Sequence, residues 1–203
     1  MAPIYKKLSL VIIRNMYLIV GLGNPDKEYA ETRHNSGFLF LDFLAKEIKA
    51  ADFKLEKKLL AEMSEGKLNH QKVLLAKPQT YVNQSGEAVK KIKTYFKIPL
   101  ANILLVHDDL DVPFGFTKFT PGSGAGGHKG IGSVIAQLKT EKISRLKIGL
   151  ANAKLKLARG QKSDQKRKAL IADLVLSKFT TAEKTKLKEI FKEGFEKIQP
   201  WLK

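Results

Sequence analysis

Cysteine is absent from this chain of 203 residues, which excludes disulfide bonds and thiolate metal sites. Long apolar runs are absent as well. Residues 8–13 are largely apolar, but Arg14 interrupts them well short of the roughly 18 residues that a membrane-spanning helix needs. Lys6 and Lys7 precede this stretch, as in a secretory signal, yet no small-residue cleavage pattern follows. These absences favour a cytoplasmic protein.

Acidic residues are scarce relative to basic ones. The chain has 37 Lys and Arg against 20 Asp and Glu, and the resulting charge of +17 favours a polyanionic partner such as nucleic acid. With 43% hydrophobic residues, the chain is long enough to bury one substantial core. We expect a single domain over residues 16–203, preceded by an N-terminal extension over residues 1–15.

Residues 154–168 form the most basic part of the chain, with seven Lys and Arg against one acid, Asp164. Like charges this dense repel one another and disfavour a packed element, so the segment is predicted to be a basic loop. Two interpretations of that loop remain open: a solvated connection, or an arm that contacts RNA.

Short apolar runs alternate with segments whose apolar residues recur every three or four positions. Residues 17–20 and 103–106 are predicted to be buried strands, and Phe38, Leu41 and Ala45 mark one face of a helix. This alternation predicts an α/β fold in which helices cover a sheet. The other predicted elements are strands at 73–76, 115–120 and 145–151, helices after Ser85 and Gly130, and a helix from Thr181, where Thr180 and Glu183 fit a capping box.

The chain has four histidines, and an enzyme that activates water near neutral pH needs a proton acceptor of about that pKa. His34 is the candidate base because it lies between the loop after the first strand and a helix start, and a purely structural role for this imidazole is the alternative. His70 lies in a polar stretch typical of an exposed hairpin turn. Asn24 follows two glycines that close the first strand, where it can hold a polar substrate group or simply form a turn.

Three acids, Asp108, Asp109 and Asp111, follow the apolar run at 103–106, at a strand end where sites of α/β sheets are commonly built. One of them can orient an imidazole, fix its tautomer and stabilise the imidazolium. A divalent metal site and a charged turn are the alternatives. No phosphate-binding G-x-x-x-x-G-K motif accompanies the acids, which weighs against a nucleotide-bound Mg²⁺.

Two further segments combine polar groups with a helix start. Asn83 lies where a strand gives way to a helix, so its amide can bind a carbonyl or an oxyanion, or belong to the helix cap. The glycine-rich stretch 122–128 also precedes a helix and can approach a ligand closely.

Three separated motifs together resemble those of bacterial peptidyl-tRNA hydrolases. They are Gly21-Leu22-Gly23-Asn24-Pro25, Thr32-Arg33-His34-Asn35-Ser36-Gly37 and Gly126-Gly127-His128-Lys129-Gly130. Each motif is weak alone, but the order and spacing of all three together are specific. The resemblance extends from Tyr17 to the C-terminal helix. It implies a single-domain, three-layer αβα fold with a twisted mixed sheet. It also implies hydrolysis of the ester between a peptide and the 3′-terminal ribose of tRNA, which recycles tRNA.

The resemblance implies a role for each matching residue. His34 is the general base that activates water, Asp108 orients it, and Asn24 and Asn83 bind the peptide main chain. The other implied substrate contacts are Tyr29, Val82, His128 and Lys129, and the implied tRNA-phosphate contacts are Lys118, Thr120 and Lys147. No metal or organic cofactor is implied. The expected partner is peptidyl-tRNA, bound at its acceptor stem and 3′ end by a monomer.

Three positions depart from the family pattern. Lys129 replaces an Asn that binds substrate, and a lysine cannot accept a hydrogen bond but can bind phosphate as a point charge. Thr120 replaces a frequent Lys of the phosphate clamp, and Val82 replaces a Met in an apolar wall. Together with the basic segment, Lys129 leaves an alternative open: a catalytically weak, hydrolase-like protein that binds RNA.

Overall fold

The computed structural model describes residues 16–202, and its central feature is a mixed sheet of seven strands with helices on both faces. The predicted N-terminal extension lies outside the described residues. The strands are β1 (Met16–Gly21), β2 (Lys54–Glu56), β3 (Ala61–Leu68), β4 (Gln71–Pro78), β5 (Ile103–Pro113), β6 (Thr117–Thr120) and β7 (Ser144–Ala151). The helices are α1 (Ser36–Glu47), α2 (Ser85–Phe96), α3 (Lys129–Leu138), α4 (Ala153–Arg159), α5 (Asp164–Leu176) and α6 (Thr181–Ile198). Within residues 16–202, none of these helices is both long and apolar enough to cross a membrane.

The strand order is β2-β3-β4-β1-β5-β7-β6, with β1 in the middle. Strand β1 pairs in parallel with β4 and β5, and β5 pairs in parallel with β7. The outer strands β2, β3 and β6 pair in antiparallel fashion. Because β1, β4 and β5 point the same way, the loops that follow them meet at one edge of the sheet.

The central strands are apolar along their length because helices cover both faces of the sheet. In β1, Leu18 and Val20 belong to the core under α2 and α3, whereas Tyr17 and Ile19 belong to the core under α1 and α6. Successive side chains of a strand point to opposite faces, so one apolar run supplies both cores. The result is three layers, helix, sheet and helix, and the predicted α/β fold is confirmed.

Most predicted elements occur close to their expected positions, and the capping box of α6 is complete. Thr180 Oγ1 accepts a hydrogen bond from the backbone N–H of Glu183, whose carboxylate accepts one from the N–H of Thr180.

The sequence pattern gives no sign of β2 and β3. These strands lie at one side of the sheet. Strand β2 has only three residues, and the polar Ser64 is buried in β3, so neither strand shows a regular apolar alternation.

The prediction of a basic loop at 154–168 is wrong. The segment is divided between helices α4 and α5, which residues 160–163 connect. The side chains of Asn152 and Ser163 cap the two helices at their N-termini. Helix α5 buries only Leu174, so its sequence lacks the apolar periodicity that identifies a helix packed on a core.

Candidate active site

The candidate catalytic residues lie at the edge of the sheet where β1 and β5 end. Asn24 follows β1, Asp108 lies within β5, and His128 precedes α3. His34 lies in a short 3₁₀ helix, Arg33–Asn35, that leads into α1. Residues far apart in sequence are thus brought together by the parallel arrangement of β1 and β5.

Arg33 fixes the position of the neighbouring His34. Its guanidinium forms a salt bridge of 2.6 Å with Glu183 and donates hydrogen bonds to Ser177 and to the backbone carbonyl of Lys178. Arg33 is buried, so these contacts tie the 3₁₀ helix firmly to the start of α6. This role could not be predicted from the sequence, since only the fold brings Arg33 to residues more than 140 positions away.

The imidazole of His34 is oriented by Asp108. His34 Nδ1 lies 2.8 Å from Asp108 Oδ1, and no hydrogen bond joins its Nε2 to any residue in the described part of the chain. Because an ionised carboxylate only accepts hydrogen bonds, Nδ1 carries the proton and Nε2 keeps its lone pair. The His34 side chain is 13% exposed and that of Asp108 is 3% exposed, so the imidazole remains accessible while its carboxylate partner is enclosed.

His128 contacts the same carboxylate oxygen. Its Nε2 lies 3.1 Å from Asp108 Oδ1, while its Nδ1 accepts hydrogen bonds from the backbone N–H groups of Gly130 and Ile131. The accepting Nδ1 must be unprotonated, so Nε2 carries the proton that points at Asp108. His128 therefore caps helix α3 and supports Asp108, two contacts that the sequence motif did not indicate.

The local charges keep Asp108 ionised and His34 basic. Burial opposes ionisation of Asp108, but the imidazoles of His34 and His128 outweigh it and hold the pKa of Asp108 well below its ordinary value. Burial also disfavours the charged form of His34, yet the Asp108 carboxylate outweighs that and raises the pKa of His34. The positive charge of Lys129 lowers the pKa of His34 and so partly offsets Asp108.

His107 and His70 do not resemble His34 in their surroundings. His107 is buried, and its Nδ1 lies 2.6 Å from the backbone oxygen of Asp108. Burial and the nearby His128 lower the pKa of His107 to about 3, so this imidazole is neutral at physiological pH. His70 lies in the turn between β3 and β4, as predicted, and is exposed. Of the four histidines, His34 alone combines a carboxylate partner with an available ring nitrogen.

Asn24 is held by a network that leaves one side of its amide available. Its Oδ1 accepts a hydrogen bond of 2.9 Å from the backbone N–H of Val82. Asn35 braces the same loop: its side chain accepts from the N–H of Asn24 and donates to the Asn24 carbonyl, both at 2.9 Å. The Nδ2 group of Asn24 has no hydrogen bond to another described residue, so it can donate to a carbonyl oxygen. The bracing role of Asn35 was not predicted.

Three other predicted substrate contacts surround this loop. Asn83 is exposed in the 3₁₀ helix Val82–Gln84, and its side chain has no hydrogen bond to other described residues. Val82 is buried in the core under α2 and α3. Tyr29 is partly exposed, and a hydrogen bond with Glu28 raises the pKa of its hydroxyl. Within residues 16–202, the hydrogen bond, ion pair and ring contact of His34 are made with other residues.

A cavity of about 390 Å³ opens beside His34 and Asp108. One wall is the glycine-rich segment that ends in His128 and Lys129, and the other is the α4–α5 pair, which contributes Ile171 and Val175. Three cationic side chains line the cavity: Lys129, Arg159 and Lys168. The cavity therefore combines the His34 imidazole and an apolar wall with three cations and the carboxylates of Asp108, Asp109 and Asp111.

The predicted phosphate contacts lie on β6 and β7. Lys118 and Lys147 are directly opposite each other in the antiparallel pair, as are Thr120 and Arg145. Lys147 Nζ lies 2.8 Å from a carboxylate oxygen of Asp109. Burial favours the neutral form of Asp109, but the hydrogen bond from Lys147 helps to outweigh this effect and the pKa of Asp109 is lowered. Lys118 is exposed, so Lys147 is the more restrained of the two amines.

Arg145 is a buried residue that sequence reasoning missed. Its guanidinium donates hydrogen bonds to the backbone carbonyls of Ser123 and Gly124, and it forms no salt bridge within residues 16–202. Burial accordingly lowers the pKa of Arg145. Arg145 thus anchors the glycine-rich segment from beneath, and a chain with that many glycines needs such an anchor to hold one conformation.

The three predicted acids do not converge on one point. Asp108 accepts from two imidazoles, Asp109 pairs with Lys147, and Asp111 pairs with Arg159 at 2.6 Å. The potential ligand atoms of His34, Asp108 and His128 do lie within 4.8 Å of one another. Both of those ring nitrogens, however, donate to the same Asp108 oxygen, and a metal would have to replace both hydrogen bonds. The contacts therefore favour a hydrogen-bonded base over a set of metal ligands.

Comparison with known proteins gives matches that agree on one family. A family model described as peptidyl-tRNA hydrolase matches residues 18–203. The peptidyl-tRNA hydrolase of Carboxydothermus hydrogenoformans is 42% identical over 183 residues, which cover 90% of each chain. That of Desulfitobacterium hafniense is 41% identical over 188 residues, covering 93% of this chain and 94% of the relative. The crystal structure of peptidyl-tRNA hydrolase from Acinetobacter baumannii has a TM-score of 0.79 at 30% identity, covering 93% of this chain and 89% of that one. All of these matches extend over most of the chain.

Proposed function

This chain belongs to the peptidyl-tRNA hydrolase family, and from that membership we propose how its own residues hydrolyse peptidyl-tRNA. The reaction cleaves the ester between the peptide and the 3′-terminal ribose of tRNA. The observation that carries the mechanism is the 2.8 Å contact between His34 Nδ1 and Asp108 beside the cavity. It supports His34 as the base, because the contact leaves Nε2 unprotonated at the site where a water can lie.

In the proposed reaction, His34 Nε2 accepts a proton as the water oxygen attacks the ester carbonyl. The buried Asp108 carboxylate stabilises the imidazolium that forms. Collapse of the tetrahedral intermediate breaks the bond between the carbonyl carbon and the ribose oxygen, and the imidazolium returns the proton to that oxygen. The products are the free peptide and a tRNA with its hydroxyl restored.

Asn24 and Asn83 are proposed to bind the peptide part of the substrate. The hydrogen bond from the Val82 N–H to Oδ1 fixes the orientation of the Asn24 amide and therefore of its donor, Nδ2. A donor held in place before the substrate binds is suited to the charge that develops on a carbonyl oxygen. Asn83 is exposed at the start of α2, where its side chain can contact the peptide main chain. Tyr29 and Val82 are proposed to shape the surroundings of the peptide.

The tRNA part is proposed to bind through its acceptor stem, with its phosphates on β6 and β7. Lys118 and Lys147 are adjacent across that strand pair, and Thr120 continues the row. Lys147 must exchange Asp109 for a phosphate when tRNA binds. We further propose that the enzyme acts in the cytoplasm as a monomer, which is consistent with a site built wholly from one chain.

The test is single-turnover release of an N-acetylated amino acid from tRNA, measured for the parent protein and for His34→Ala. Loss of a positioned base should slow release by about 10²–10⁴-fold while tRNA binding is retained. His70→Ala is the matched control, because this histidine lies in an exposed turn and should leave the rate unchanged. Equal rates in the parent and His34→Ala would contradict the proposed role.

A further inference from the structure

An exposed aromatic side chain lies next to the amines that are proposed to bind phosphate. Phe116 is 59% exposed and directly precedes β6, the strand that carries Lys118. Within residues 16–202, its ring pairs with no other aromatic ring and with no cation. Single exposed apolar residues are common on protein surfaces, so the exposure of Phe116 gains meaning only from where the ring lies.

The backbone fixes the side of the sheet on which Phe116 lies. The N–H of Gly149 donates to the carbonyl oxygen of Phe116 at 3.0 Å, which continues the pairing of β6 with β7 by one residue. Because alternate residues of a strand share a face, Phe116 lies on the same face as Lys118. The intervening Thr117 points to the other face, where its hydroxyl donates to the carboxylate of Glu193 in α6.

Phe116 therefore stands at one end of the row of proposed phosphate contacts. Lys118 is the next residue on the same face, and Lys147 lies directly opposite Lys118 on β7. Residues two apart in a strand are separated by about 7 Å. The ring and the amine are thus close enough to contact the base and the phosphate of one nucleotide.

The position of Phe116 also relates to the candidate active site. Gly149 pairs on its other side with Asp109, the residue that follows Asp108 in β5. Because neighbouring strands are about 4.8 Å apart, the backbone of Phe116 lies roughly 10 Å from that of Asp109. A duplex end held at Phe116 is therefore near enough for a single-stranded 3′ end to reach the cavity beside His34.

We infer that the Phe116 ring stacks on the last base pair of the tRNA acceptor stem. This inference rests on the proposed function, which places the phosphates of that stem on Lys118 and Lys147. Neighbouring pairs cover both faces of every internal base pair, so the last pair is the one whose outer face can meet an aromatic ring. Since every base has such a face, the contact recognises the end of the stem and not its sequence.

The experiment measures binding of an unacylated RNA hairpin that reproduces the acceptor stem and its single-stranded 3′ end. A second hairpin lacks both bases of the last pair but keeps every ribose and phosphate, so the two RNAs carry the same charge. Each RNA is titrated with the parent, Phe116→Leu and Phe116→Trp. Tyr95→Leu is the matched control, because Tyr95 is also 59% exposed but lies on α2, which contacts β4. Strands β1, β5 and β7 separate β4 from β6.

Phe116→Leu should bind the intact hairpin about five-fold or more weakly than the parent, because leucine keeps an apolar surface but loses the flat face. Phe116→Trp should bind at least as tightly as the parent. Removing the bases of the last pair should weaken binding to the parent and to Tyr95→Leu but have little effect on Phe116→Leu. The salt dependence of Phe116→Leu should match that of the parent, since no phosphate contact is lost, whereas Lys118→Gln should flatten it.

Equal losses on removal of the bases, in the parent and in Phe116→Leu, would overturn the inference. Equal weakening by Phe116→Leu and Tyr95→Leu would overturn it as well. Because the RNA is unacylated, the binding result does not depend on catalysis. A parent that binds the hairpin as described but fails to release the N-acetylated amino acid would instead contradict the proposed function.

Discussion

One carboxylate oxygen, Oδ1 of Asp108, receives hydrogen bonds from both His34 and His128. The two imidazoles are not equivalent, because backbone N–H groups of α3 occupy the second nitrogen of His128. His128 is therefore a fixed donor that cannot accept another proton without losing its cap contacts. His34 has no such restraint on Nε2, which is the physical reason to assign the role of base to His34 and not to His128.

Asp108→Asn should slow single-turnover release by about 10³–10⁴-fold, because an amide can donate to His34 Nδ1 and hold the wrong tautomer. The substitution should also lower the pKa of His34, since the carboxylate is what raises it. The acidic limb of the residual rate would then move to lower pH. A variant with the same rate and the same pH dependence of that rate as the parent would show that Asp108 does not orient the base.

Lys129→Asn should move the acidic limb of kcat/KM to higher pH. The ammonium of Lys129 lowers the pKa of His34, so its removal raises that pKa and protonates the base at a higher pH. Lys129→Arg keeps the charge and is the matched control, whose limb should stay in place. Superimposable pH profiles for all three proteins would rule out this electrostatic coupling.

At the scale of single residues, the positions of His34 and Asn24 at a predicted helix start and strand end made them site candidates. The sequence also placed three acids after the apolar run at 103–106, and only the family resemblance singled out Asp108 among them. The sequence did not identify Asn35, Arg33 or Arg145. Their side chains make the contacts that fix the site only after distant elements have packed. Polar residues with structural roles of this kind carry no local signature.

Among the elements, α1 lies unusually close to the central sheet. A Cβ placed on Gly37 would lie 2.4 Å from both the backbone N of Leu22 and the carbonyl oxygen of Val106. These are backbone atoms of the segments that carry Asn24 and Asp108, so they cannot move away without disturbing the site. The glycine allows the helix after His34 to pack directly against β1 and β5.

Gly37→Ala should therefore reduce the free energy of unfolding by about 3 kcal/mol or more. Gly132→Ala in α3 is the control, because its new Cβ would meet only the Cβ of Ala125, at 3.9 Å. Alanine in a helix interior should raise stability by about 0.5–1 kcal/mol at that position. Urea unfolding of both variants measures the difference, and equal effects would contradict the close packing described for α1.

Elements that pack on a core were predictable, and those that do not were missed. The apolar runs of β1 and β5 and the stripe of α1 reflect burial between layers. Helix α5 has one buried residue, Leu174, and the basic cluster at its start, Lys166 to Lys168, suggested a loop. Its order comes from capping by Ser163 and from contacts with α4 and with the segment around His34.

For the whole molecule, the charge of +17 should govern association with tRNA. Raising the salt concentration should lower kcat/KM for a tRNA ester steeply, because phosphate contacts release counterions when they form. The single-turnover rate at saturating enzyme should change far less, since His34 and Asp108 are shielded from bulk salt. A rate constant that falls in parallel with kcat/KM would show that salt disrupts the site itself.

The central claim is that His34, oriented by Asp108, accepts the proton of the attacking water. The most direct test compares the pH dependence of the single-turnover rate with the titration of His34, followed by NMR in the same protein. The four histidines are few enough to assign by single substitution. We predict that the acidic limb coincides with the His34 pKa and that this pKa lies above the ordinary histidine value. A limb that does not follow the titration of His34 would contradict the claim.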